Sequence, residues 1–115
     1  GQDRGNIGVL SDEKPNPIRR KVMNIETKWL EDFLSLTHTQ SFSRSAEERY
    51  LTQPAFSRRI KSLEQAVGCE LVDRSSVPVQ LTDEGKLFQI TARNLVSQLR
   101  EALTICRRFV ASESR

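Results

Sequence analysis

The stretch LTQPAFSRRIKSLEQAVG, residues 51–68, gathers side chains suited to holding an anion. Arg58, Arg59 and Lys61 are cations, Gln53 and Ser57 bring amide and hydroxyl groups, and no carboxylate intervenes before Glu64. Arginine makes paired hydrogen bonds to the acceptors of guanine and glutamine to adenine, while serine and lysine serve phosphates or base edges. The chemistry on offer is recognition of a duplex, with no bond made or broken. The same stretch carries no paired nucleophile and base, and no glycine-rich cradle for a phosphate.

A helix makes these residues a surface. At about 100° per residue, Phe56, Ile60, Leu63 and Val67 fall on one side, the side that packs inward. Gln53, Pro54, Ser57, Arg58 and Lys61 fall on another. Thr52 stands where an N-cap belongs, and Pro54 suits a first turn whose amide hydrogens have no intrahelical partner. Gly68 suits the helix end. Unpaired amides and the positive dipole end favour phosphate at the N-terminus. The plain alternative is an amphipathic helix whose basic side is merely solvated.

Other elements must hold that helix in place. From Thr27, read as a cap, Trp29, Leu30, Phe33, Leu34 and Leu36 recur at the spacing of one buried helical face. The segment THTQS breaks the pattern, and Ser43 reads as the cap of a short second helix from Arg44 to about Tyr50, with Ala46 as its small packing residue. Leu51 and Thr52 make a tight connection to the third helix, 52–67. Leu71-Val72 and Val79-Gln80-Leu81 are β-prone runs around Ser75, Ser76 and Pro78, which predicts a small hairpin. Thr82 then caps a long helix to about Ala111, with Asp83 and Glu84 favouring its positive end and Gly85 a weak point in its first turn. The predicted fold is mainly α: a winged helix-turn-helix with a two-stranded wing, followed by a long dimerisation helix.

At this point the chain resembles the LysR-type transcriptional regulators, at their N-terminal DNA-binding domain with its linker helix. The likeness runs from about Ile25 to the end, on Ser41-Phe42-Ser43, Ser45-Ala46, Thr52-Gln53-Pro54, Ser57-Arg58, Leu63-Glu64, Gly68, Leu71, Arg74 and Leu81-Thr82 with Gly85. The segments KWLEDFL, TQPAFSRR and VQLTDEGK are similar to the hypochlorite-responsive branch. The resemblance implies that Gln53, Pro54, Ser57 and Arg58, with Lys61 beside them, face a major groove. It implies phosphate contacts for Ser43 and Thr52 and a backbone or minor-groove contact for Arg74; Arg59 and Ser76 are further candidates for phosphate or wing contacts. The alternative for Arg74 is a surface arginine paired with Asp73 or Glu70. Two departures stand out. Arg49 occupies a position the family usually gives to leucine, so its head should be exposed or paired with Glu47, Glu48 or a neighbour, because burying it unpaired is costly. The wing SSVPV lacks the arginine or lysine commonly found there.

Along the last helix Phe88, Ala92, Leu95, Leu99, Ala102, Cys106 and Phe109 alternate steps of four and three, a heptad seam. Leu103, with Val96, Ile105 and Val110, widens it. The helix either folds back on its own domain or meets a second copy, and the small core ahead of it favours the second copy. The resemblance implies antiparallel pairing of such helices into dimers, with higher oligomers open to a longer chain. The target is then an inverted repeat in double-stranded DNA.

The whole chain of 115 residues suits one domain, or a small domain with an appendage. Residues 1–22 read as a flexible tail in which Arg19, Arg20 and Lys21 are either solvated or brush a phosphate backbone, 23–81 as the DNA-binding domain, and 82–115 as the linker helix. Net charge is +3, too mild to name a partner by itself. No apolar run approaches a membrane span and no leader pattern opens the chain, so no membrane partner is expected. Cys69 and Cys106 lack metal-ligand spacing, and His38 is the lone histidine, in a loop. We expect no metal, no cofactor in this segment, no catalytic residue, and a reduced, cytoplasmic, nucleoid-associated setting. The enzyme alternative is a thiol oxidoreductase using Cys69. The binding alternative is a helical module whose basic side takes an acidic protein.

Overall fold

The computed structural model describes residues 24–113, so the tail expected over residues 1–22 lies outside the described residues. Helix α1 spans Thr27–Thr39, α2 Phe42–Glu48 and α3 Gln53–Val67. Strands β1, Val72–Asp73, and β2, Gln80–Leu81, follow, and α4 runs Asp83–Glu113. The strands pair antiparallel with Val72 opposite Leu81 and Asp73 opposite Gln80.

Two of the predicted caps resolve differently. Glu26, not Thr27, precedes α1, and it gives no side-chain cap. Gln40 ends α1 in the left-handed region, φ 56°, where its N–H bonds the Leu36 carbonyl at 2.9 Å. That reversal starts α2 early, so Ser41 is its cap, accepting from the Arg44 N–H at 3.2 Å, and Ser43 sits inside the helix. Tyr50 also adopts positive φ, 59°, which costs about 1–2 kcal/mol for a residue with a Cβ. The Leu51 N–H compensates by closing the end of α2 on the Ala46 carbonyl at 2.8 Å.

Thr52, Gly68 and Thr82 behave as their types predict. Thr52 Oγ1 accepts from the Ala55 N–H at 3.3 Å, and Gly68 ends α3 at φ 96°. Thr82 Oγ1 accepts from the Gly85 N–H at 3.0 Å and donates to the Glu70 carbonyl at 2.7 Å. Gly85 is no weak point, because a Cβ there would lie 2.0 Å from the Leu71 carbonyl oxygen. The wing meets the long helix at a spacing only hydrogen permits.

One core joins all these pieces: Leu30, Phe33 and Leu36 from α1, Ala46 from α2, Phe56, Ile60 and Leu63 from α3, Leu71 and Val72 beside the wing, and Ala92 and Val96 from α4. The first half of α4 is therefore part of the domain. Ala92, expected on a seam facing a partner, is 0% exposed within its own subunit. Phe88 likewise turns inward, its ring 5.8 Å from that of Phe33. Ala92 is corrected to a core position, and Phe88, half-buried, packs against that core: the apolar stripe of α4 begins as the lid of its own domain.

Candidate nucleic-acid interface

Anchored by Phe56, Ile60 and Leu63, all 0% exposed, α3 turns its other side outward. Gln53, Pro54, Arg58 and Lys61 are exposed and Ser57 is half-buried, so the five residues form one open face. Among the described residues neither Arg58 nor Lys61 has a hydrogen-bonding or ionic partner.

The remaining cations divide sharply. Arg59 lies nearly opposite that face, and its Nη1 is 3.1 Å from Asp32 Oδ2 on α1. A phosphate contact by Arg59 is therefore corrected: its place on the helix turns it toward the fold. Arg49 is paired, but not with Glu47 or Glu48; it reaches Asp32 at 2.6 Å and Glu31 at 3.3 Å, both on α1. Burial opposes its charge, yet the hydrogen bonds and charges of Asp32 and Glu31 hold its pKa above the ordinary value. Arg74 pairs with Glu64 at 3.1 Å, rather than with Asp73 or Glu70, and its guanidinium carbon sits 5.4 Å from the centre of the Phe42 ring.

The wing carries hydroxyls and an exposed apolar tip. Ser75 donates to Asp73 Oδ1 from its side chain at 2.6 Å and from its backbone N–H at 3.0 Å; these bonds hold the Asp73 pKa below the usual carboxylate range. Ser76 Oγ donates to Asp73 Oδ2 at 3.4 Å, and Val77 is 96% exposed. The Val79 N–H bonds the Gln40 carbonyl at 3.1 Å, which ties the wing to the α1–α2 turn. An open groove between wing and helices is lined by Ser43, Arg44, Gln53, Val77 and Pro78, among others. Ser43 is exposed there, its hydroxyl 3.2 Å from that of Ser41. Arg44 lines the same groove. It stands in the first turn of α2, exposed, with its guanidinium free of a partner among the described residues.

Cys69 is not set up as a nucleophile. Burial, then the charges of Glu84 and Glu64, push the Cys69 thiol up, which disfavours the reactive thiolate. Cys106 is exposed on α4. From Leu95 onward, the buried Val96 apart, the stripe of α4 is uncovered: Leu95, Leu99, Leu103 and Phe109 are 49%, 43%, 41% and 65% exposed, and Ala102 is exposed with them. No helix among the described residues is long and apolar enough to cross a membrane.

Residues 27–86 match the model of the bacterial regulatory helix-turn-helix proteins of the lysR family. Among solved structures, Vibrio fischeri DarR in complex with DNA superposes with a TM-score of 0.74 at 56% identity, covering 76% of this chain and 30% of that one. The BenM DNA-binding domain on catB site 1 DNA gives 0.73 at 32% identity, covering 76% of this chain and 95% of that one. Full-length HypT of Salmonella, a hypochlorite-specific LysR-type regulator, gives 0.69 at 52% identity, covering 73% and 29%. The chain spans about a quarter of the length of the curated relatives it matches, which are transcriptional regulators. This chain belongs to the LysR family of bacterial regulatory helix-turn-helix proteins.

Proposed function

We propose that this chain is the sequence-specific, double-stranded-DNA-binding and dimerising segment of a transcription regulator. The observation that carries it is the open face of α3, where Gln53, Ser57, Arg58 and Lys61 stand together with both cations unpartnered among the described residues. In a major groove Gln53, Pro54, Ser57 and Arg58 meet base edges, and Lys61 lies close enough to serve an edge or a phosphate. Thr52, Ser43 and Arg44, at two helix starts, line the phosphates on one flank, and the wing with Arg74 and Ser76 takes the other. The uncovered half of α4 supports pairing with a second copy through Leu95, Leu99, Ala102, Leu103, Cys106 and Phe109, which makes the target an inverted repeat.

The segment acts without metal or cofactor and without catalysis, in the cytoplasm with the nucleoid. Likeness to HypT supports the hypochlorite-responsive branch for the whole regulator; DarR stands as near, and the response of the full-length protein to hypochlorite decides between them. Selection of binding sites from a random duplex pool tests the central reading. Enrichment of inverted repeats is expected. Binding that ignores sequence instead favours a basic face for an acidic partner.

A further inference from the structure

Behind the DNA-facing side lies an ionic cluster that touches none of it. Asp32, in the middle of α1, is 0% exposed, and its two oxygens are shared between two other elements. Oδ1 accepts from Arg49 Nε at 2.6 Å and Oδ2 from Arg59 Nη1 at 3.1 Å. Arg49 is the C-cap of α2 and Arg59 belongs to α3, so one carboxylate joins all three helices of the helix-turn-helix unit. Glu31 extends the cluster, accepting from Arg49 at 3.3 Å and from Arg100 of α4 at 3.2 Å.

Stability does not explain this arrangement. Withdrawing the Asp32 carboxylate from water is costly, and apolar replacements of similar volume for a buried ionic set are often as stable or more so. What an ionic set offers that an apolar one lacks is direction. Apolar burial is non-directional and lets a helix roll slightly about its axis, whereas a guanidinium bonds a carboxylate only in a narrow range of orientations. Roll matters for a reading helix. About 10° of it carries a side-chain tip, about 5–6 Å off the axis, through about 1 Å. That is enough to turn a hydrogen bond into a miss.

We infer that Asp32 is a positioning residue for DNA reading: through Arg59 it fixes the roll of α3, and through Arg49 the placement of α2, so that Gln53, Ser57 and Arg58 enter the groove in one register. The inference rests on the DNA-binding role proposed above. Arg49, the departure from the family's leucine, is on this view the price of a carboxylate at Asp32.

The test compares the 115-residue chain with its Asp32→Leu/Arg49→Leu/Arg59→Met variant, using a selected operator and a scrambled duplex. The variant is expected to fold with an unfolding midpoint at or above wild type. Affinity for the scrambled duplex should move by less than about threefold while operator affinity falls about tenfold, because each base contact carries discrimination of that order. A purely structural role scales both affinities with the folded fraction and leaves their ratio intact. An unchanged ratio in the folded variant overturns the inference. Should the triple variant fail to fold, Arg59→Met alone decides: a lowered ratio supports the inference and an unchanged one overturns it. A wild-type chain that does not distinguish the two duplexes overturns the DNA-reading proposal and this inference together, an outcome separate from a discriminating wild type beside an equally discriminating variant.

Discussion

Arg74 Nη1 lies 3.1 Å from Glu64 Oε1, so the cation that precedes the wing is fastened to the last turns of the reading helix. The other oxygen of the same carboxylate accepts the Leu71 and Val72 N–H groups at 2.8 and 3.1 Å. Glu64 thereby pairs two backbone donors in a stretch whose side chains are buried. Replacing it by alanine leaves both donors without a partner and frees Arg74. The expected cost is about 3 kcal/mol of stability, read from denaturant unfolding, because each buried unsatisfied group costs about 1–3 kcal/mol. A loss below about 1 kcal/mol would mean that water takes over the carboxylate's place.

Arg58 and Lys61 share the open face but are expected to differ in kind. Arg58→Ala should weaken operator binding by about 1–3 kcal/mol while hardly changing binding to random duplexes, as the loss of a bidentate base contact does. Lys61→Ala should weaken both and lower the slope of log affinity against log salt by about one per subunit, as the loss of a phosphate contact does. Salt titrations on matched and scrambled duplexes read both effects. Equal loss on both duplexes for Arg58→Ala would move it to the phosphate class.

Leu99 stands where α4 has left its own core but keeps its apolar stripe, 43% exposed. Leu99→Asp places a charge on that stripe without disturbing Ala92 or Val96. Sedimentation is expected to show monomers, with the helical circular dichroism of the wild-type chain retained. Dimers that persist would put the contact elsewhere on α4.

Cys69 should be slow toward alkylating reagents. Its raised pKa means that the thiol is favoured over the thiolate until the pH passes above the ordinary thiol range. In Cys106→Ser, modification at about pH 7–8 is expected to lag behind that of the same chain unfolded in denaturant. Fast reaction at Cys69 would reopen the thiol-enzyme alternative.

Much of this protein was written in local pattern. The faces of α3 follow from Phe56, Ile60 and Leu63 recurring at helical spacing, and its ends from Thr52, Pro54 and Gly68, because caps and periodicity depend on near neighbours alone. The open side of Gln53, Ser57, Arg58 and Lys61 followed from the same arithmetic. What the tertiary structure decided was which charges are free. Arg58 and Arg59 are adjacent in sequence, yet one faces solvent and the other meets Asp32, 27 residues away. Arg49 and Arg74 likewise found carboxylates on other elements, and Ala92 was drawn into its own core. Ion pairs and burial across elements depend on the angles at which helices meet. Those angles come from the packing of the whole core, which a linear pattern does not contain.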